Sequence, residues 1–559
     1  MVILQFLVTV VAGQTIIPGG TVSGTWQTSG SPYLVQGTIM IPNDSTLLIE
    51  PGTTVNFQGH YKILVMGRIL ALGTVESPIT FTASNPTTGW YGIRFDETPS
   101  TNDSSVIDHC IIQFGRATEP EFVGGAIKAG SFVSKLRISN CLLKHNWAQT
   151  AGGAIYCSPY SSPLILNNVF EYNAVAGVPG ISGGGGGVAM TGSFAMVSGN
   201  TFFSNHSTNQ TDGGGAICIK EGHSYVINNL ILYNVATTDG LSWGQGGGGG
   251  IYVDGNAHIT ENTITNNVSN GLYSQGGGGI FIGPEDHSTL ENNTITNNSA
   301  DGNTGCGGAV YFDYYSYPDL TCNTIANNYA NQSGGGLYCN SSANPVFRNC
   351  IIYGNKANAD SNQVFLYDED SDPEFTYCDI QGGKDDFELN GNFYSGMYMN
   401  NITVNPGFES PSEGCGAGYD GFYSYWTEAG DSPCINAGDP DGPYPETDRA
   451  GNPRVVEDRI DIGAYEFQWY VGIHDLKDKN LISIIPNPVR QNAVIRISGC
   501  PGESILMVRN ELGDLVRMIR IQGSGYTRFS KGDLPAGMYH CSLFSGDRQL
   551  AIGKLVIVN

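Results

Sequence analysis

Three short segments, each about thirty residues from the next, combine carboxylates with imidazoles: Lys220-Glu221-Gly222-His223, Asp254 with His258, and Glu285-Asp286-His287. Brought within a few ångströms of one another, such groups make a general acid/base pair or a set of metal ligands. A second series runs through the same stretch. Tyr252, Phe281, Tyr311, Tyr338 and Phe365 recur at nearly the same interval, with Asp254, Asp313 and Asp368 shortly after three of them. Rings standing out from a surface beside carboxylates offer what a sugar-binding groove needs, flat apolar faces edged by oxygens that bond hydroxyls. Tyr314, Tyr315 and Tyr317 add aromatic area nearby. Cations are scarce, since Lys220 is the one Lys or Arg between residues 145 and 347. That weighs against a polysaccharide lyase, which needs a positive group or calcium against a uronate carboxylate and a base for the adjacent proton. A hydrolase working with two carboxylates stays open. Both series also have a plainer account: solvent-facing turns are polar, and long loops such as 234–247 can fold over the rings.

These residues meet only if the chain winds at a fixed period, and it does. From residue 109 to 383 one pattern recurs ten times, with two anchors in most copies. The first is a Gly-rich lead into a short strand, as in GGAIYC (152–157), GGAICI (214–219), GGGIYV (248–253) and GGGIFI (277–282). The second reads x-Asn/Cys-x-apolar-x-x-Asn/Gly, as in NCLLKHN, NNVFEYN, ENTITNN and NCIIYGN. Its second positions, from Cys110 to Cys378, are spaced close to 30 residues apart on average. Apolar positions alternate with polar ones and glycine interrupts every segment, which excludes helices and predicts stacked strands of a parallel solenoid.

The columns predict the interior. Ile127, Ile155, Val188, Ile217, Ile251, Ile280, Val310, Leu337 and Val364 are always aliphatic in the first anchor. By strand parity the residues just after them, the aromatic series, point outward. In the second anchor the Asn/Cys position shares the inward face of the apolar residue two further on. A buried Asn needs partners for its amide, and rungs about 4.8 Å apart let each Asn bond to the next, which predicts an asparagine ladder. Cys110, Cys141, Cys350 and Cys378 stand in the same column and read as small buried thiols. Adjacent rungs also leave disulfides open for the pairs Cys110/Cys141 and Cys350/Cys378.

The chain has 559 residues, 77 of them glycine, and a formal charge of −25. Residues 1–480 carry 17 basic and 46 acidic residues, a net of −29, and residues 481–559 carry 9 and 5, a net of +4. So acidic a chain excludes nucleic acid and anionic membrane surfaces as partners. The opening MVILQFLVTVVAGQT is an apolar run ending in small residues, as in a secretory signal, although a basic start is missing. It falls short of the ~20 residues a spanning helix needs, and no other transmembrane segment is present.

On these repeats the chain resembles right-handed parallel β-helix proteins, the broad group that includes pectate-lyase-like enzymes, over residues 16–467. The GGAI and FxxN tetrapeptides, with FEYN at 170–173, also resemble repeats of chlamydial polymorphic outer-membrane proteins, which are surface adhesins. Residues 431–467, with GNPR and DIGAYEF, resemble the closing segment of bacterial surface β-helix proteins. That likeness implies a cap on the last open rung, where Asp439, Asp441, Asp448 and Asp461 are either cap carboxylates or a calcium site. Residues 481–559 alternate like a small β-sandwich. They resemble a type IX secretion sorting domain in Ile485-Pro-Asn-Pro488, Leu512-Gly513, Leu534-Pro-Ala-Gly-Met-Tyr539 and Gly553-Lys-Leu-Val556. This implies export through that machinery and a secreted or surface-attached product.

The expected organisation is a leader (1–13), an N-terminal cap with first coils (14–108), ten rungs (109–383), terminal coils with a closing cap (384–467), a linker (468–480) and a sandwich (481–559). The expected role is binding of a polysaccharide or a host or cell surface, with no certain cofactor. A carbohydrate-active enzyme or a purely structural surface protein are the alternatives, since fold does not decide function.

Overall fold

The computed structural model describes residues 13–468 apart from 97, 178–182, 210–212, 239–245, 272–274, 360–361, 423 and 458, and residues 482–558 apart from 486, 491, 498–502, 511–514, 523–524 and 546–547. The expected leader and Leu512-Gly513 therefore lie outside the described residues. The chain divides into two units, Met1–Gln468 and Trp469–Asn559.

The first unit is the parallel solenoid. A coil passes through Cys110–Gln113 in a first sheet of 14 strands, Ile127–Ala129 in a second of 13, and Leu136–Ser139 in a third of 14, then returns to the first at Leu142–Lys144. A fourth ladder of nine two- to four-residue strands, such as Arg116–Ala117, bridges the first sheet and the second. The first described coil passes through Thr15–Ile17, which pairs with Tyr33–Val35. The aliphatic column is in register as expected: Ile127 faces Ile155, then Val188, Ile217, Ile251, Ile280, Val310, Leu337 and Val364, all fully buried. Burying each such side chain stabilises the stack by roughly 1.5–3 kcal/mol. The third sheet is the one the sequence pattern missed. From Leu164–Leu166 onward its strands send a single residue inward (Ile165, Val197, Val226), too sparse a signal to stand out from its neighbours.

The asparagine ladder forms. Asn168 donates from Nδ2 to Asn200 Oδ1 at 3.0 Å and to the Ile138 carbonyl at 2.9 Å, while its backbone N–H reaches Asn200 Oδ1 at 2.8 Å. The pattern repeats through Asn229, Asn262, Asn293 and Asn323. Cysteines replace the amide at both ends: Cys110 N–H reaches Cys141 Sγ at 3.4 Å, Cys350 N–H reaches Cys378 Sγ at 3.5 Å, and the column closes on Asn401 Oδ1. All the described cysteines are free thiols. Burial pushes the thiols of Cys157, Cys322 and Cys541 up to about 12. A second ladder, from Asn146 through Asn173, Asn205, Asn234, Asn267, Asn298 and Asn328 to Asn355, occupies the last position of the same motif. Glycine recurs before the second sheet chiefly because backbones meet there: a Cβ on Gly249 would lie 2.1 Å from the Gly278 carbonyl of the next rung.

The closing segment does not behave as expected. The last rung is covered by residues 383–402, where Phe387, Tyr394 and Tyr398 gather around Phe375. Residues 405–467 instead fold back along the outer face of the first sheet. Asn266 bonds the carbonyls of Ala417 and Tyr419, Asn297 that of Gly414, and Asn292 that of Thr447. The apolar column that DIGAYEF contributes, Ile462, lands on Ile351 together with Cys434, so the segment finds its hydrophobic partner on the flank rather than at the end.

The second unit is antiparallel throughout its described strands. A three-stranded sheet (Ile482–Ile485, Asn492–Ile497, Gly525–Ser530) and a four-stranded one (Leu515–Gln522, Glu503–Arg509, Gly537–Ser545, Arg548–Ile557) enclose Val489, Ile495, Leu506, Cys541 and Leu555. Asn487 ties its opening turn to the final strand, donating to the Lys554 carbonyl at 2.7 Å and accepting from Val556 N–H at 2.8 Å. No helix among the described residues is long and apolar enough to cross a membrane.

Candidate functional site

The aromatic series is real but not exposed. Tyr252, Phe281, Tyr311, Tyr338 and Phe365 stack ring on ring, with centroids 5.1, 5.0, 5.0 and 4.8 Å apart, and none is more than 7% exposed. Connections leading into the second sheet fold over the rings: Cys306 joins the cluster, and Gln275 Oε1 accepts from the Tyr311 hydroxyl at 3.2 Å. Stacking at the rung spacing also consumes the ring faces. The column is thus a second hydrophobic core on the outside of the second sheet, not a sugar-binding groove. The carboxylates beside it are engaged in turns. Asp313 accepts from Tyr314 N–H and from Asn340, and Asp368 from Ser342 N–H and the Ser371 hydroxyl.

Glu221 and Asp254 lie at the ends of second-sheet strands, His223 and Glu285 to His287 in the turn to the third sheet, and His258 on the strand after it, and their imidazoles and carboxylates turn to other partners. Asp286 is 1% exposed, and its oxygens accept from the backbone N–H groups of Gly255, Asn256 and Ser288, so it anchors the turn. Glu221 and Glu285 hold left-handed corner positions with φ of 55° and 53° and face solvent. Asp254 pairs in register with Lys220, whose ammonium lies 5.4 Å from the Tyr252 ring. Each imidazole lies flat against an aromatic ring of the adjoining rung: His223 on Phe194 at 6.3 Å, His258 on Tyr225 at 4.9 Å, His287 on Tyr317 at 5.5 Å.

The calcium alternative is not supported either. Asp448 accepts from Ala450, Asn452 and Glu466 N–H groups, Asp461 from those of Asn436 and Phe467, and Asp439 pairs with Arg348 while accepting from Asp441 N–H. Oxygens so committed to N–H donors are not turned toward a shared cation, and the described residues hold no metal-ligating cluster of three His, Cys, Asp or Glu.

The histidine partners point to what the sequence did not single out. At the same corner of earlier rungs, Phe132 and Tyr160 stack at 5.1 Å with 69% and 61% of their surface exposed. Both hold positive φ, 64° and 60°, a conformation that costs a bulky residue about 1 kcal/mol or more. Phe194 stands at the corner of the next rung, stacked on His223, and beside this line on the third sheet the exposed Leu164, Met196 and Tyr225 pair in register. Further along stand the exposed Tyr315 and Tyr317. A ridge therefore runs along the corner over seven rungs, about 29 Å at the rung spacing, with rings at both ends and Glu221, His223, Glu285 and His287 between them. A hollow lined by Asn102, Asp103, Phe132 and Lys135 adjoins its first ring. Phe132, Tyr160 and Phe194 gave no repeating signal in the sequence because they lie outside both anchors, in turns of variable length. Positive φ at an aromatic residue was the signal, and only the backbone reveals it.

A cationic cluster also comes together, on the outer face of the second sheet. Lys62 and Arg94 meet Glu121 at 2.8 and 3.5 Å, and Lys128 meets Asp96 at 2.8 Å. Arg94 is fully buried and its guanidinium lies 5.0 Å from the Tyr91 ring, so the group fastens the 118–122 turn to the sheet.

The family model described as "Right handed beta helix region" matches residues 33–231 and 186–410, more than half of the chain. No curated protein matches. The matched spans cover the coils whose register, ladders and inward columns are set out above, and the chain belongs to the right-handed β-helix family.

Proposed function

We propose that the protein is an exported surface solenoid that holds an extended polysaccharide, or another glycan-bearing surface, along the corner ridge. The observation that carries this is the exposed, left-handed Phe132/Tyr160 pair, with Phe194 on the next rung and the exposed column Leu164, Met196 and Tyr225 beside it. Large rings kept in solvent at a cost in backbone energy mark a contact surface. Glu221 and Glu285 in the middle of the ridge, on a region with a net charge of −29, favour neutral or amino-bearing sugars over uronates. The antiparallel C-terminal unit, with Asn487 locked to Lys554 and Val556, supports its reading as a type IX secretion sorting domain, and with it a secreted or outer-surface location and that machinery as a partner.

The test is retention of the purified solenoid on a panel of neutral, amino-bearing and uronate polysaccharides, with product analysis. Retention on a neutral or amino-bearing glycan without new reducing ends is expected. Release of unsaturated uronates would replace this reading with a lyase.

A further inference from the structure

The back-folded segment 405–467 closes over an unusual set of charges. Glu428 is 2% exposed and neither carboxyl oxygen has a hydrogen-bond partner. It sits against Gly463 and close to the Thr324 hydroxyl of the solenoid. Arg454, 1% exposed, donates from Nη2 to Asn292 Oδ1 at 2.5 Å and to the Gly463 carbonyl at 2.9 Å, while its Nε and Nη1 lack hydrogen bonds. Glu466 lies 3.9 Å from Nη1, and Asp461 and Asp448 complete the segment's side of the cluster. On the solenoid side the charged and titratable neighbours are Glu291, Glu261 beyond it, and Cys322. Arg454 is the cation that these groups share among the described residues, and one guanidinium cannot balance four buried carboxylates.

We propose that residues 405–467 form a proton-operated strap, closed over the first sheet while Glu428 and Glu466 carry protons and released when they ionise. Burial holds the carboxyl of Glu428 well above the usual range, pushes that of Glu466 up to about 8, and raises that of Asp461. Asp379, which meets Cys434 of the strap at 3.3 Å, is pushed up by burial to about 6. Each of these groups binds its proton more tightly in the closed state than in an open, solvated one. Closure is therefore fully stabilised below the ordinary carboxylate range and weakens as pH rises through about 6 to about 8. Release would bare rows of hydroxyls and amides now covered by the strap, Thr265, Thr294 and Thr296 with Asn266 and Asn297.

Hydrogen exchange of the full chain at pH 6 and pH 8.5, corrected for the intrinsic rate, tests the strap. Peptides from 405–467 should lose protection by about tenfold or more, since each ionising carboxyl changes the opening equilibrium up to about tenfold per pH unit, while coils in 33–231 stay unchanged. Glu428→Gln, neutral at either pH, should keep more of the protection at pH 8.5 than the wild type does, the remaining loss coming from Glu466 and Asp379. If the extra hydrogens of that amide loosen the strap at every pH, Glu466→Gln makes the same test. Equal protection of the wild-type strap at both pH values overturns the proposal.

Discussion

Among the lines of rings that run along this solenoid, two meet opposite fates. The column from Tyr252 to Phe365 stands on the middle of a sheet, one residue from the interior, and is covered; the ridge that begins with Phe132, Tyr160 and Phe194 stands on a corner and is bare. Both are aromatic, and both repeat at the rung spacing. What separates them is the chain nearby. The connections into the second sheet are long in the rungs that carry Tyr252, Phe281 and Tyr311, and they supply Gln275 and Cys306 as a lid. The turns at the ridge are only a few residues long and have nothing to fold over it. Aromatic periodicity thus identifies a stack, and the neighbouring loop decides whether that stack is core or contact surface.

The contrast breaks most visibly through the buried column. Tyr311→Ala opens a cavity between two stacked rings and should lower solenoid stability by about 3–5 kcal/mol, read as a fall in the thermal midpoint, with glycan retention per folded molecule unchanged. A somewhat smaller loss is expected from Asn293→Ala, which strips Asn262 of its acceptor and the Ile259 carbonyl of a donor. Leaving those groups unpaired costs roughly 2–4 kcal/mol, and urea unfolding would register it. Phe132→Ala with Tyr160→Ala inverts the pattern: stability should shift by about 0.5 kcal/mol or less per exposed site, whereas loss of both rings should weaken glycan retention by about tenfold, near 1.4 kcal/mol. The smallest effect belongs to His223→Ala with His287→Ala. Their rings lie on Phe194 and Tyr317, so thermal midpoint and product release should both stay at the wild-type level.

How legible this was in the sequence follows from how many neighbours constrain a residue. Asn168 and Ile155 each touch the rung before and the rung after, so their types repeat and the ladder and the inward column were plain in the repeat. The second ladder, at Asn173 and its equivalents, was present in the same motif but at a position where parity with an apolar residue gave no hint of burial. Through most of the repeats the third sheet left one inward residue per strand, such as Ile165 or Val197, and disappeared into variable flanks. Register and parity put Tyr252 and Phe281 on the outer face, but exposure depended on loops whose path no local pattern encodes. The closing segment misled for a related reason. A cap and a strap share the need to bury Ile462, and only the solenoid's threonine and asparagine rows determined which surface it would find.

The most direct measurement compares the two ring lines in one assay: retention of wild type, the Phe132→Ala/Tyr160→Ala pair and Tyr311→Phe on the glycan that holds the wild-type solenoid. Tyr311→Phe preserves the buried stack and gives up only the hydroxyl bond to Gln275. The account predicts that the ridge pair loses retention while melting like wild type, and that Tyr311→Phe binds as wild type does. Undiminished binding by the ridge pair, or binding lost in Tyr311→Phe, would contradict it.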